Sequence, residues 1–426
     1  MKRYEKYKDS KIEWIGEVPD EWRLKKISHG FRKIGSGTTP TAGNQEYYLD
    51  GEYYWLQTGD LTNGAINTTS KKITKKALED FSTLRFYKPG SLVIAMYGAT
   101  IGKVGLLNIE TTTNQACCVL SEPESFISRY VYYWFTANKE IVISLGYGGG
   151  QPNISQDIIK TLRLPCPSLE EQTVIVNYLD EKTAQIDNLI RKKQKLIELL
   201  KEERTAVINE AVSGEGKNWQ RKKLKYLLKP VKGSLKPGPF GSDLKNSDVS
   251  TDGPVKVYTQ RNVIDNDFKS GEDFISEEKF RQLEAFEIDV NDILVTTRGT
   301  IGRTAVFPRA SAKGILHPCL IRMQIDESKV LNDWLICYFN DSTFFQENVK
   351  LNSNSTIIDV IYGYTLREVV VPVPSVEEQM AILQQAKIET HEIDTTISKI
   401  EKEIELMQEY RTALISEVVT GKIKVF

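Results

Sequence analysis

The sequence predicts an α+β fold in which two irregular, β-rich domains alternate with two long helices, which pair as an antiparallel coiled coil with a pseudo-twofold axis. Three observations support this prediction. One block of the chain occurs twice, each copy has a seven-residue apolar period, and the regions before the copies contain short apolar runs broken by Gly, Asn and Asp. The predicted order is domain, helix, domain, helix, with boundaries at 1–163, 164–214, 215–370 and 371–426.

The first domain consists of short β-rich segments that end in polar turns. YYWLQTGDL (53–61) and SLVIAMYGATIGKVG (91–105) are apolar runs that lead into loops containing glycine, and the polar loop GYGGGQPNIS (146–155) precedes the helical block. This pattern is typical of strands joined by exposed turns. We therefore expect a β-rich domain before the first helix.

The first helical block begins with PSLEEQ (167–172) and continues without Pro or Gly as far as Gly214. Ser168 and Glu171 have the spacing of a capping box, and Gly214 lies where a helix terminator is expected. At ~1.5 Å per residue, about 45 uninterrupted residues predict a rod of roughly 65–70 Å.

The second domain repeats the first in a weaker form. VKVYTQRNV corresponds to 53–61, DILVTTRGTIGRTAV to 91–105, and the polar loop LNSNSTIID again precedes the helix. Trp22 and Trp219 occupy similar places near the two domain starts. Because TRGTIGR carries two arginines where YGATIGK carries one lysine, we expect the two domains to make related but different contacts.

The second helical block repeats the first closely. Residues 164–214 align with 371–421 without a gap, and 24 of the 51 pairs are identical. Both copies keep a mainly apolar seven-residue period, which is typical of coiled coils. Two copies on one chain most simply form an intramolecular antiparallel pair, and the alternative is that each helix packs on its neighbouring domain. The rows are Leu179, Ile186, Lys193, Leu200, Val207 with Val176, Thr183, Ile190, Ile197, Arg204, Ala211, and Ala386, Ile393, Ile400, Met407, Leu414 with Leu383, Thr390, Ile397, Ile404, Arg411, Val418.

Composition restricts the classes of function. The 426 residues are 40% hydrophobic and 27% charged, with a net charge of −1, so any nucleic-acid binding needs local patches or a partner. Five cysteines form no CxxC pair, which favours a reducing cytoplasm, and three separated histidines disfavour a metal site. No apolar run approaches the ~18 residues of a membrane span, and the N-terminus lacks a signal-like apolar core. We expect a cytoplasmic protein with no membrane partner.

Familiar catalytic and cofactor motifs are missing. GATIGK (98–103) has three residues between its glycines, where a phosphate loop has four, and Val104 stands where Ser or Thr would hold magnesium. GYGGGQ (146–151) fails the dinucleotide fingerprint. The sequence also lacks HExxH, GxSxG, the amino-methyltransferase tetrapeptide and a convincing acidic nuclease arrangement. We therefore expect a non-catalytic chain without a metal or cofactor of its own.

The layout resembles the specificity subunit of type I restriction-modification systems. KIEWIGEVPDEWRLKKI (11–27), the repeated PxPSxEEQ, the RTA near the helix ends and VTGK (419–422) are similar to that family's opening and helical blocks. The resemblance implies that each domain is a target-recognition domain that reads one half of a split site in double-stranded DNA. It also implies that the helices set the spacer and dock two methyltransferase subunits for adenine-N6 methylation. S-adenosylmethionine, ATP and magnesium are expected on partner subunits, with restriction subunits adding translocation and cleavage.

Polar and basic side chains on the loops are candidate DNA contacts, because amide, hydroxyl and guanidinium groups read base edges and bind phosphates. Gln57 and Gln260 are candidates for reading adenine, and Arg298 and Arg303 for guanine or phosphate. The full set is Ser36, Thr38, Thr39, Gln57, Thr58, Lys71, Lys72, Tyr97, Thr100, Lys103, Gln151 and Asn153 in the first domain, and Ser242, Lys245, Gln260, Arg261, Asn262, Arg298, Thr300, Arg303 and Asn354 in the second. The candidate partner-docking residues at the helix starts are Glu170, Glu171, Gln172, Glu377, Glu378 and Gln379.

Three other functions remain open on sequence alone: a coiled-coil scaffold with peptide-binding domains, an enzyme with an unfamiliar active site, and a specificity subunit of another restriction type. Each candidate loop is also readable as an ordinary surface turn. The lysine run at 71–76 is readable as a solvated face, and the TIGK and TIGR stretches as structural turns.

Overall fold

The computed structural model describes residues 2–146, 153–351 and 360–425, and the chain divides into two compact units. Unit 1 comprises Met1–Lys193 and Glu401–Phe426, and unit 2 comprises Gln194–Ile400. Each unit therefore contains one β-rich region and a part of each long helix. These two units group the chain differently from the four consecutive predicted segments, because both long helices contribute to both units.

The β-rich region of unit 1 contains a five-stranded sheet with a buried central strand. Its spatial order is Phe31–Gly35, Cys117–Pro123, Leu92–Ala95, Val104–Leu107 and Gly64–Ile66. A three-stranded sheet has the order Thr112–Thr113, Tyr53–Leu56, Lys71–Ile73. Two further pairs join Tyr7–Asp9 to Glu17–Pro19 and Arg23–Lys26 to Arg163–Cys166. Short helices cover these strands: Lys75–Asp80, Ser128–Ala137, Lys139–Ser144 and Gln156–Thr161.

Unit 2 has the same plan with fewer strands. A four-stranded sheet has the order Leu235–Pro237, Leu320–Met323, Ile293–Thr296, Thr304–Val306. A three-stranded sheet has the order Phe274–Ile275, Val255–Tyr258, Gly314–Leu316, and Gln220–Lys223 pairs with Val370–Val373. The shorter helices are Gln260–Ile264, Glu277–Leu283, Asn332–Ile336, Phe344–Leu351 and Gly363–Glu368. Both β-rich regions confirm the predicted α+β class.

The two long helices span Leu169–Ser213 and Val376–Val419. Each begins directly after the serine of its predicted capping box, Ser168 or Ser375. The predicted segments begin earlier, at 164 and 371, and so include residues of the strands Arg163–Cys166 and Val370–Val373, whose prolines cannot lie inside a helix. The predicted terminators are confirmed, since Gly214 and Gly421 have φ of 65° and 76°.

Half of the predicted capping box forms at each helix start. The Ser168 hydroxyl accepts a hydrogen bond from the Glu171 backbone N–H at 3.1 Å, and Ser375 accepts one from Glu378 at 3.2 Å. The two glutamates do not complete the box as predicted. Their carboxylates bind tryptophans of the adjoining domain instead, as described below.

Within each unit the two long helices run antiparallel. In unit 1, Asp187 lies 2.8 Å from Arg411, and Lys193, further along the first helix, bonds to Glu403, which lies earlier in the second. In unit 2, Arg204 pairs with Asp394, and Val212 belongs to an apolar cluster against which Ile382 and Leu383 of the second helix pack. Every position of the predicted seven-residue rows is buried or half-buried. The coiled-coil prediction is therefore confirmed within each unit.

Over the ranges 2–146, 153–351 and 360–425, no helix combines the length and the apolar character that crossing a bilayer requires. Within those same ranges, His, Cys, Asp and Glu side chains form no group of three or more that could hold a metal ion.

Candidate nucleic-acid interface

The Thr-Ile-Gly motif lies in the same kind of β-hairpin loop in both units. The loop spans 96–103 in unit 1 and 297–303 in unit 2. Gly102 and Gly302 have φ of 74° and 79°, a conformation that glycine adopts without strain. The motif is thus a structural turn in both domains, and the first loop is one residue longer.

Three other segments meet this loop in unit 1. The Met96 N–H donates to the Ala116 carbonyl, and the Met96 carbonyl accepts from the Ile154 N–H, both at 2.9 Å. Gly37 donates to the Asn114 carbonyl at 3.4 Å, and a side chain on Gly37 would overlap the crossing backbone. Together these contacts place one set of side chains at the ends of the strands. We call this set the first face: Thr38, Thr39, Tyr97, Gln115 and Asn153.

The corresponding segments meet in unit 2. The Thr297 N–H donates to Cys319 at 3.0 Å, Ile361 donates to Thr297 at 2.9 Å, and Gly238 donates to Leu320 at 2.8 Å. They enclose a groove of about 660 Å³. Among the described residues that line it, the charged ones are all cationic. We call its three cationic side chains and three of its aromatic side chains the second face: Lys236, Arg298, Arg367, Phe240, Tyr362 and Tyr364.

Tyr97 and Arg298 occupy equivalent positions on the two faces. Each is the second residue of its hairpin loop, and each forms a single β-bridge to the segment before the next helix, Tyr97 with Asn153 and Arg298 with Val360. Both side chains are exposed. The structure therefore brings three sequence-predicted candidates, Tyr97, Asn153 and Arg298, to matching places.

A second repeated turn follows the strand Tyr53–Leu56 in unit 1 and its counterpart in unit 2. The Gln57 N–H donates to the Asp60 carboxylate at 2.8 Å, and the Thr259 N–H donates to the Asn262 amide oxygen at 2.9 Å. Gln57 is therefore equivalent to Thr259. Gln260, the other glutamine predicted to read adenine, corresponds to Thr58.

Asn262 is a correction to the predicted DNA contacts. Its side chain is only 3% exposed. The amide nitrogen donates to the carbonyls of Asp267 and Ser270, both at 2.9 Å, while its oxygen caps the turn. The buried ammonium of Lys256, whose pKa is lowered by burial, donates to the same loop at Lys269 and Ser270. Asn262 therefore holds the backbone in place.

Arg303 lies in a different groove from Arg298. That groove, about 710 Å³, is also lined by the carboxylates of Asp267 and Asp333. The Arg303 guanidinium donates to the Asn340 carbonyl at 3.2 Å. The two arginines that the sequence placed together thus face different surroundings, and only Arg298 belongs to the all-cationic groove.

The remaining candidates are dispersed. Lys71 and Lys72 lie exposed on the strand Lys71–Ile73, with the Lys72 ammonium 4.8 Å from the ring centre of Tyr54. Arg261 is exposed and paired with Asp265. Ser36, Thr58, Thr100 and Lys103 are half-buried, whereas Ser242, Lys245 and Thr300 are exposed. Gln151 and Asn354 lie outside the described residues.

At the helix starts, the structure separates the glutamates from the glutamines. The Glu171 carboxylate accepts from the Trp22 indole at 3.1 Å, and Glu378 accepts from Trp219 at 2.9 Å. Glu170 and Glu377 are exposed, as partner docking requires.

Gln172 and Gln379 are a second correction. Both are fully buried, so their side chains are not available to a partner. Each clamps its own domain: Gln172 accepts from the Ile127 N–H and Gln379 from the Leu331 N–H, both at 2.8 Å. The glutamines therefore fasten the helix starts to the domains.

Six residues of the two faces were missed by the sequence analysis. Lys236 and Phe240 lie a few residues before the predicted Ser242 and were not predicted themselves, and Gln115 follows a strand with no distinctive pattern. The remaining three, Tyr362, Tyr364 and Arg367, follow the second polar loop. The gapless alignment of the helical blocks, extended towards the N-terminus, would have pointed to them, since it pairs them with Ser155, Asp157 and Lys160 of the first copy.

Comparison with known proteins identifies the family. The family described as "Type I restriction modification DNA specificity domain" matches residues 19–199 and 218–406. The MjaVIII specificity subunit of Methanocaldococcus jannaschii is 24% identical over 96% of this chain and 94% of its own length. The EcoKI specificity subunit of Escherichia coli K12 is 22% identical over 96% and 90%.

Solved structures share the fold. A chain from a study of complex assembly and conformational transition of the type I R-M system matches with a TM-score of 0.70 at 14% identity, covering 95% of this chain and 99% of that one. The HsdS subunit from Thermoanaerobacter tengcongensis matches with a TM-score of 0.56 at 14% identity, covering 95% and 98%. With a match in both of its domain-and-helix halves, this chain belongs to the type I restriction-modification DNA specificity family.

Proposed function

We propose that the first and second faces each read one half of an asymmetric, bipartite site in double-stranded DNA. One observation carries this proposal: the same backbone frame presents different side chains at equivalent positions. Tyr97 stands where the second domain has Arg298, and the loops beside them also differ. Because bases are distinguished by the donors, acceptors and apolar groups that meet their edges, two different faces favour two different half-sites.

We further propose that the long helices set the spacer between the half-sites and dock two methyltransferase subunits. The repeated attachment of each helix to its domain supports this role. Gln172 and Gln379, and Glu171 and Glu378, fix the helix starts to the domains through the same bonds. The exposed Glu170 and Glu377 then present matching carboxylates to two copies of a partner.

The chemistry is assigned to the partners. On this proposal the chain is a non-catalytic subunit, methyltransferase subunits bring S-adenosylmethionine for adenine-N6 methylation, and restriction subunits bring ATP and magnesium for cleavage. The net charge of −1 supports a division of labour in DNA binding, because phosphate binding requires cations that partners can add.

The test is to assay the purified chain alone and with its methyltransferase partner. We expect DNA binding and methylation to appear together when the partner is added. Mapping of N6-methyladenine in the genome, with and without this gene, should reveal one bipartite motif that depends on the gene. Methyl transfer by the chain alone would contradict the proposal, and so would a complex that binds peptides but no specific DNA.

A further inference from the structure

The second face carries exposed aromatic rings where the first face carries polar groups. Phe240, which is 81% exposed, lies two residues after Gly238, and Thr39 lies two residues after the equivalent Gly37. Tyr362 and Tyr364 are 52% and 70% exposed. In the alignment of the two copies they correspond to Ser155 and Asp157 of the first domain. The first face has one exposed ring, Tyr97 at the position of Arg298, whereas the second face has three, so the two faces differ in their capacity for stacking.

Phe240 is held outward by a loop that is fixed on both sides. Gly238 is bonded to Leu320, and a Cβ at this glycine would overlap the carbonyl of His317, so the backbone is tightly packed before the ring. After it, the Phe240 carbonyl accepts from the Asp243 and Leu244 N–H groups at 2.8 and 3.2 Å, and Leu244 is buried. A rigidly presented ring loses little conformational entropy on binding.

The two tyrosines form a stacked pair beside the same groove. Their rings are inclined by only 7°, with centroids 5.4 Å apart. Ile361, which precedes them, is bonded to Thr297 of the hairpin and is buried, and Leu366 anchors the helix that follows. The pair therefore presents flat aromatic surface from a firmly packed segment.

The charges and exposed rings of the groove fit DNA as its occupant. Lys236, Arg298 and Arg367 line it, and the Lys236 ammonium is held 4.7 Å from the ring centre of Phe286. A groove with cations and exposed rings fits a polyanion that also offers flat aromatic groups. Phosphates satisfy the cations, and nucleobases stack on the rings.

We propose that the second recognition domain partly unstacks its half-site, with Phe240 inserted between neighbouring base pairs and Tyr362 and Tyr364 stacked against the opened step. The first domain, with Thr39, Ser155 and Asp157 at these positions, leaves its half-site stacked. This inference rests on the proposed function of reading bipartite DNA. Apolar side chains inserted at base steps unstack and kink duplexes in proteins that bind the minor groove, and exposed base–aromatic stacking recovers the cost.

The experiment uses the complex of the full chain with its methyltransferase partner and duplexes that carry its mapped site. 2-Aminopurine, an adenine analogue whose fluorescence rises when it is unstacked, replaces in turn each adenine on either strand of both half-sites, except the methylated adenines and the bases next to them, because methyltransferases flip their target base out of the stack. We expect a rise at one step of the half-site read by unit 2 and none in the other half-site. F240A should abolish the rise and weaken binding by roughly 5- to 150-fold, the range seen when one base–aromatic stack is lost.

Matched variants separate stacking from folding. F240L keeps an apolar wedge and should retain a reduced rise. Y226A removes another exposed aromatic ring of unit 2, which lies outside the groove, and should leave both fluorescence and affinity unchanged. Since Phe240 is largely solvated, F240A should keep the wild-type melting temperature.

The outcomes separate this inference from the proposed function. A complex that binds its site specifically while 2-aminopurine stays silent throughout the second half-site would overturn the unstacking inference and leave the proposed function intact. An unchanged rise in F240A would also overturn it. A complex without sequence-specific DNA binding would instead overturn the proposed function itself.

Discussion

The guanidinium of Arg204 lies 3.0 Å from the carboxylate of Asp394 in unit 2. The helical repeat makes the same ion pair a second time in unit 1, where Arg411 lies 2.8 Å from Asp187, with the roles of the two helices exchanged. In the sequence, the two arginines are polar interruptions of an apolar seam. The structure shows that each arginine has a carboxylate of the other helix beside it.

Reversing one charge of an ion pair should destabilise the coiled coil, and reversing both charges should restore the stability. R411D places two carboxylates together, whereas R411D/D187R rebuilds the pair. R204D and R204D/D394R are the corresponding variants, but the double variant leaves a new carboxylate beside Asp341, so its recovery should be smaller. Because the four side chains are partly solvated, we expect effects of about 0.2–1 kcal/mol for each pair. Thermal unfolding of the four variants measures this, and failure of both double variants to recover would show that the pairs do not contribute.

Arg204 should matter more than Arg411. It also lies 3.7 Å from Asp341, a carboxylate whose pKa is raised by burial, an effect that the Arg204 cation partly offsets. The R204A variant leaves this half-buried carboxylate without the arginine cation. The melting temperature of R204A should therefore fall further than that of R411A. Equal melting temperatures would show that the contact with Asp341 adds nothing to stability.

The buried glutamines should be required for stability. Q172A removes an amide that accepts from Ile127 and donates to the Ser125 and Pro167 carbonyls, leaving buried polar groups unpaired. We expect a loss of about 1–3 kcal/mol in the free energy of unfolding, and a similar loss for Q379A. E170Q, on the exposed side of the same helix start, is the control and should unfold like wild type in urea. If Q172A unfolds at the same urea concentration as wild type, the hydrogen bonds of Gln172 do not contribute to stability.

Arg298 and Arg303 should differ in their effects on DNA recognition. R298A should weaken or relax only the half-site read by unit 2, by about 1–3 kcal/mol if the guanidinium contacts a base. R303A should have a smaller effect, because Arg303 bonds to Asn340 in a groove with two carboxylates. Methylation mapping with both variants checks this. Equal weakening on every sequence by R298A would mean a phosphate contact.

Lengthening both helices by one heptad should lengthen the DNA spacer. Insertions after Ile190 and Ile397, both buried in the seam, shift one partner of each ion pair by seven residues, so Asp187 still meets Arg411 and Arg204 still meets Asp394. The bond between Lys193 and Glu403 lies between the two insertion points and is lost, although the apolar seam stays in phase. The rod grows by ~10 Å, equivalent to about three base pairs. The preferred spacer should grow by up to that number, while the half-site bases stay unchanged.

Methylation mapping of this variant gives the result directly. An active variant with the original spacer would show that the helices do not set the distance. A changed half-site sequence would show that the helices also take part in reading bases.

The sequence by itself determined the long helices, their repeat and the β-rich character of the domains. A seven-residue apolar period, prolines before the helix and glycine after it are local properties, and the bonds of a helix close within four residues. The duplication added the strongest information, because a residue that occurs at the same place in both copies, such as Arg204 and Arg411, indicates the same role twice.

Only the tertiary structure decided which polar residues face outward. Gln172 and Glu170 belong to the same motif, yet Gln172 is buried and Glu170 is exposed, because the domain packs on only one side of the helix start. Arg298 and Arg303 are five residues apart, yet the hairpin turn sends them into different grooves. The faces are assembled from loops that are distant in sequence, such as Gly238, Arg298 and Tyr362. Their contacts arise from chain crossings, which no local pattern of residues encodes.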